Sequence, residues 1–241
     1  IHGELAYLES GLGVASPRAV GDRQIIATNC DLDDDLQAAI DNAHTGFVRI
    51  EITGTCSGNF AIARDGIELR GVDGANIVGS VVLDAARNTR IQSLSITGSG
   101  NTLSLNNYST VPLILATIET VNGDHHAVTA WSSKVIAGWY SVIRNHTVDN
   151  SGSAVLLTDT SSLEYIGRNL TISADAGLSA EAVRVYSHSR FLMPVTDGAV
   201  SIVANALETR RALVVGPGAM FSQSLPGRLN IHGNLMSAGG T

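Results

Sequence analysis

From about residue 46 onward the chain consists of short runs in which apolar and polar residues alternate, each closed by Gly, Asn or Asp. One apolar residue taken from each of seven successive runs gives a mean spacing of about 24 residues. The markers are Leu69, Ile96, Ile118, Val148, Ile172, Val195 and Val215. A spacing of this size is typical of a solenoid, in which each repeat buries its apolar side against the next. The leucine-rich frame and helical periodicity are both missing, so the pattern predicts an all-β parallel β-helix. About eight or nine coils, stacked ~4.8 Å apart, would make a rod roughly 40 Å long.

One helix precedes these runs. Leu36, Ala39, Ile40 and Ala43 recur at helical spacing, which predicts a helix over about 33–44. Asp34 and Gln37 have the spacing of a capping box at its start. Residues 1–28 contain several Gly and a Pro and are predicted to form an arm or an extra edge strand. Residues 29–241 are predicted to form a single β-helix domain.

Four segments carry a resemblance to a known family: Asn29-Cys30, residues 36–43 (LQAAIDNA), residues 48–56 (VRIEITGTC) and residues 67–71 (IELRG). They resemble the amino-terminal cap of secreted bacterial right-handed parallel β-helix proteins, the pectin-lyase-like superfamily. The resemblance implies that the helix plugs the open end of the first coil and hides an exposed sheet end. Leu36, Ile40 and Ala43 would then cap the core.

The superfamily includes polysaccharide lyases and hydrolases, phage tailspikes and adhesins, so the fold alone does not select a function. The polygalacturonase, pectin methylesterase and pectate lyase motifs are missing from this sequence. No complete catalytic motif can be named, and the catalytic residues stay unknown.

Composition excludes several classes of protein. Of the residues, 44% are apolar, yet no run is long enough to span a membrane. The net charge is −7 and no block of basic residues is present, so we predict no nucleic-acid partner. Cys30 and Cys56 bracket a short unit and predict a disulfide in an oxidising compartment; two free thiols in a reducing one are the alternative. We therefore predict a secreted or cell-surface protein, extracellular or periplasmic, whose signal peptide has already been removed.

A first candidate binding site lies at residues 184–190. Strict alternation would place four side chains on one outward face of a strand: Arg184, Tyr186, His188 and Arg190. Arginine binds carboxylates with two parallel hydrogen bonds, and Tyr or His can exchange protons, so the strip suits an acidic sugar. The alternative is an ordinary solvated face of the solenoid.

A second candidate cluster comprises Asp124, His125, His126, Arg144, Asn145 and His146, with Trp131, Trp139 and Tyr140 expected near by. One period separates its two halves, so they can stack on adjacent coils. The cluster suits a metal ion, a sugar platform or ordinary loop polarity. Glu164, Tyr165 and Arg168 are placed to extend a groove along the same flank. Our prediction is that no cofactor and no metal are bound.

These observations predict a protein that binds, or binds and cleaves, a polysaccharide along one flank of the solenoid. The alternative is a non-catalytic structural or adhesive subunit that self-associates through its arm or its open end.

Overall fold

The computed structural model describes residues 24–44, 46–121, 125–146, 152–175, 179–193, 198–206, 208–223 and 228–237. These residues form the predicted all-β parallel solenoid. In chain order the strands are β1 (Gln24–Asn29), β2 (Val48–Thr53), β3 (Thr55–Ile62), β4 (Ile67–Gly71), β5 (Asn76–Asp84), β6 (Arg90–Gln92), β7 (Ser95–Gly98), β8 (Leu103–Asn106), β9 (Thr110–Ile114), β10 (Thr117–Thr120), β11 (Val128–Trp131), β12 (Lys134–Gly138), β13 (Ser141–His146), β14 (Ser153–Thr158), β15 (Ser162–Tyr165), β16 (Leu170–Asp175), β17 (Ser179–Val185), β18 (Arg190–Met193), β19 (Ala199–Asn205), β20 (Thr209–Val215), β21 (Met220–Gln223), β22 (Arg228–His232) and β23 (Asn234–Ser237).

The strands stack into three faces. Face A contains β1, β2, β4, β6, β9, β12, β15, β18 and β21. Face B contains β7, β10, β13, β16, β19 and β22, and face C contains β8, β11, β14, β17, β20 and β23. Strand β5 spans faces B and C, because its first residues pair with β7 and its last with β8, and β3 pairs along β5. Among the described residues six coils therefore have three strands, fewer complete coils than the eight or nine that the sequence predicts.

A ladder of isoleucines runs through the core under face B. It consists of Ile77, Ile96, Ile118, Ile143, Ile172, Ile202 and Ile231, each in register with the next. The first six are fully buried, and Ile231 packs against the core. The successive spacings are 19, 22, 25, 29, 30 and 29 residues, so the coils lengthen along the chain. Three of the predicted markers, Ile96, Ile118 and Ile172, occupy equivalent positions in this ladder. Leu69 lies on face A and Val215 on face C, so the markers as a set do not follow one face. Val148 and Val195 lie outside the described residues.

The helix is shorter than predicted. Helix α1 spans Leu36–Asp41, and its N-cap is Asp35, whose side chain accepts a hydrogen bond from the Ala38 N–H. The predicted capping box at Asp34 is wrong, because the Asp34 carboxylate instead accepts a hydrogen bond from the Asn29 N–H at 2.7 Å. Leu36, Ile40 and Ala43 all belong to the buried core, as the resemblance implies.

The first coil is held by the disulfide Cys30–Cys56, which confirms the predicted pairing. Residues 24–29 form β1 at the edge of face A, while residues 1–23 of the predicted arm lie outside the described residues, and self-association through it stays a prediction. In the described part of the chain, no helix is long and apolar enough to cross a membrane.

Candidate functional site

The turns from face C to face A repeat on successive coils and rest on a ladder of buried serines. The ladder comprises Ser109, Ser133, Ser161 and Ser189. The N–H of Ser109 donates to the Oγ of Ser133 at 3.2 Å, and Ser133 and Ser161 donate in the same way to the next serine. Because each buried donor is satisfied by the following coil, the turns are fixed relative to one another.

The turns that contain these serines also present large exposed side chains to solvent. Tyr108 is 68% exposed, Trp131 is 59% exposed, and His188 is also exposed. The first residues of the next face A strands, Lys134 and Arg190, follow at the same corner. We call this surface the corner strip, and it consists of Tyr108, Trp131, Lys134, Glu164, His188 and Arg190.

The two cations of the corner strip differ in their partners. Lys134 Nζ lies 2.7 Å from Glu164 Oε2, so its charge is largely balanced. Arg190 is exposed and has no ion pair among the described residues. A shallow depression of about 240 Å³ lies between the turns, lined in part by Tyr108, Lys134 and Ser162. The corner strip therefore combines aromatic surface, hydroxyl groups and an available guanidinium.

The prediction that residues 184–190 form one alternating strand is wrong. Strand β17 ends at Val185, Ser187 and His188 are left-handed with φ of 52° and 63°, and β18 begins at Arg190. The chain thus turns a corner in the middle of the predicted strip. His188 and Arg190 reach the corner strip, whereas Tyr186 lies over Gly216 of the next coil, where an added Cβ would be 2.0 Å from the Tyr186 ring.

Arg184 belongs to a different group on face C. The Glu181 carboxylate, only 9% exposed, is bound by the Arg184 guanidinium and by Arg211 Nη1 at 2.5 Å. On the preceding coil, Ser153 pairs in register with Glu181, and Ser153 contacts His126. The structure therefore brings together Arg184 and His126, which the sequence assigns to separate clusters.

His126 is held as a neutral imidazole. Its Nδ1 accepts a hydrogen bond from the Ser153 N–H at 2.9 Å and lies 2.9 Å from Ser153 Oγ. Burial, followed by the positive charge of Arg184, lowers the pKa of His126 to about 4.

We expect His126 to make the fold sensitive to acid. The unfolded chain takes up a proton near the ordinary histidine pKa of about 6.5, whereas the folded chain does so only near 4, so stability falls as the pH drops between these values. The loss between pH 7 and pH 5 is about 2 kcal/mol. Urea unfolding at both pH values measures it, and His126→Gln should remove most of this pH dependence. An unchanged pH dependence in that variant would contradict the assignment.

The second predicted cluster is only partly assembled. Asn145 Nδ2 donates to the His125 carbonyl at 3.0 Å, so the two halves do meet on adjacent coils. His146 lies on face B between Glu119 at 2.8 Å and Asp175 at 3.8 Å, while Arg144 lies two residues before it on β13. Asp124 lies outside the described residues. Within the described ranges no group of three or more His, Cys, Asp or Glu side chains could hold a metal ion.

The aromatic surroundings expected for this cluster do not form. Trp131 ends a face C strand, whereas Trp139 and Tyr140 occupy the turn from face A to face B. Tyr165 is fully buried, so it cannot extend a surface groove, and Glu164 pairs with Lys134 instead.

Tyr108 and Lys134 of the corner strip were not predicted from the sequence. A signal for them exists, because the four ladder serines recur at spacings of 24, 28 and 28 residues, each behind polar turn residues. The side chains next to such a serine mark the corner of every coil.

No family model matches the chain. No curated protein matches it either. Among solved structures, the chain is similar to an alginate lyase from Paenibacillus sp. str. FPU-7, with 14% identity and a TM-score of 0.35 over 89% of this chain and 99% of that one. No functional residue is carried over from this likeness, and the predicted membership of the pectin-lyase-like superfamily stays a prediction.

Proposed function

We propose that this protein is a secreted or cell-surface protein that binds an acidic polysaccharide along the corner strip. The observation that carries the proposal is a set of exposed aromatic and cationic side chains along four successive turns of one corner, with Tyr108 at the first turn, Trp131 at the second, and His188 and Arg190 at the fourth. Exposed aromatic rings offer flat apolar surfaces to sugar rings, and a guanidinium binds a carboxylate with two parallel hydrogen bonds.

The repeat gives the strip its length. Tyr108 and His188 occupy corresponding turns three coils apart, which is about 14 Å along the axis. A linear polymer that lies along this corner can contact every turn in succession. The ladder of buried serines keeps those turns in fixed positions, so the surface is arranged before the ligand arrives.

Local charge favours an anionic ligand. The chain as a whole has a net charge of −7, but the face A strands carry five cations and three acids among the residues that alternate with their core positions. Arg190 lies at the edge of this face, next to the corner turns. These strand residues therefore carry an excess of two positive charges, in contrast to the net negative charge of the whole chain.

The disulfide supports the proposed location. Structural disulfides persist mainly in oxidising compartments, so the Cys30–Cys56 bond fits an extracellular or periplasmic protein.

We expect titration calorimetry to detect binding of polygalacturonate or alginate and no binding of neutral dextran. Trp131→Ala and Arg190→Ala should each weaken the binding about tenfold, because one removes an aromatic contact surface and the other a carboxylate contact. Added salt should weaken the binding, since the ionic contacts lie at the surface.

Two variants away from the strip serve as controls. Tyr140→Ala removes an aromatic ring that is 52% exposed in the turn from face A to face B. Arg228→Ala removes an exposed arginine of the last coil. Equal losses in these controls, or full binding in both strip variants, would contradict the proposal. Ultraviolet absorbance of unsaturated chain ends in the same samples tells binding with lyase-type cleavage from binding without it.

A further inference from the structure

Trp131 is exposed, yet its ring is tied to the next coil. Its indole Nε1 donates a hydrogen bond of 2.6 Å to Asp159 Oδ2. An exposed tryptophan without such a bond samples several rotamers. We infer that Asp159 is a positioning residue that holds the Trp131 ring in one orientation for the polysaccharide. This inference rests on the proposed function.

The Asp159 carboxylate is itself fixed. The same Oδ2 accepts a second hydrogen bond from Ser132 Oγ at 2.8 Å, and the Asp159 carbonyl accepts from the Ser132 N–H at 3.1 Å. Asp159 has a left-handed φ of 53° and lies in the turn directly above Ser132. The Asp159 backbone and side chain therefore both bind the preceding turn, which holds the carboxylate next to the Trp131 indole.

The expected benefit is pre-organisation. A side chain that is already ordered in the free protein loses less entropy when a ligand covers it. Charge acts in the opposite direction, because a carboxylate beside the strip repels an anionic polymer. Loss of the Asp159 charge alone would therefore tighten the binding, whereas loss of its positioning role would weaken it.

The test combines affinity for polygalacturonate with the mobility of the Trp131 indole. The protein has two tryptophans, so the Trp131 ¹⁵N–¹H indole signal is assigned by its disappearance in Trp131→Phe. We expect Asp159→Ala to lower the heteronuclear NOE of that signal and to weaken binding about fivefold. Asp159→Asn keeps an acceptor oxygen, so both the heteronuclear NOE of the Trp131 indole and the affinity should stay within about twofold of wild type.

The matched control is Asp73→Ala. Asp73 is exposed with a left-handed φ of 52°, but it lies in the turn from face A to face B and makes no side-chain hydrogen bond with the described residues. Its removal imposes the same change of charge and backbone preference, and it should leave both the indole signal and the affinity unchanged.

The outcomes separate this inference from the proposed function. If Trp131→Ala itself leaves binding unchanged, the proposed function fails. If Trp131→Ala weakens binding while Asp159→Ala leaves binding unchanged or tightens it, only the positioning role is overturned. An indole that stays rigid in Asp159→Ala also overturns that role, whatever the affinity.

Discussion

Replacing Cys30 and Cys56 by serine is expected to lower the free energy of unfolding by about 3.5 kcal/mol. The bond joins residues 26 apart, and closing a loop of that length in the unfolded chain removes conformational entropy that the reduced chain retains. It ties the turn that follows β1 to β3, with the buried Cys56 inside the core. Helix α1 lies within the loop that the disulfide closes, so removal of the disulfide should also loosen the helix.

Urea unfolding of the oxidised wild type and the double variant, followed by circular dichroism, measures this loss. Ser57→Ala, which changes an exposed neighbour on β3, should leave the stability unchanged. A double variant within about 0.5 kcal/mol of wild type would contradict the expectation.

Glu181→Ala is expected to destabilise the protein by about 3 kcal/mol. The carboxylate is almost fully buried and binds both Arg184 and Arg211, so its removal leaves two guanidinium groups close together without their shared counter-charge. We place the loss at the lower end of the range for buried pairs, because the Arg211 side chain is 40% exposed and can turn toward water.

A double-mutant cycle checks this explanation. Adding Arg211→Ala to Glu181→Ala should recover part of the lost stability, since it removes one of the uncompensated charges. Glu208→Ala removes an exposed acid directly before β20, the neighbour of β17 on face C, and should have almost no effect. Equal losses for Glu181→Ala and Glu208→Ala, or no recovery in the double variant, would show that the charge cluster does not stabilise the coil.

The fold could be predicted because the core repeats one simple requirement. Each coil places an isoleucine or similar side chain on the one before, and alternation marks those positions in the sequence. The exact register was harder to predict. The spacing in the isoleucine ladder grows from 19 to 30 residues and each coil has three strands, so one apolar residue taken from each run does not stay on one face.

The candidate site was predictable only in part for the same physical reason. Alternation continues through Arg184 to Arg190 in the sequence, but the left-handed turn at Ser187 and His188 sends the two arginines to different faces. Trp131 and Asp159 are 28 residues apart and meet only because two coils stack in one register. Contacts of this kind depend on the lengths of all the intervening turns, which local patterns do not define.

We propose the corner strip as the polysaccharide-binding surface. A ¹⁵N-edited NMR titration with an oligogalacturonate locates that surface, because each backbone and indole signal reports on its own position. We expect shifts that concentrate at Tyr108, Trp131, His188 and Arg190 and no shifts at Tyr140 or in the face B strands. Shifts centred on face B around His146, or no shifts at millimolar ligand, would contradict it.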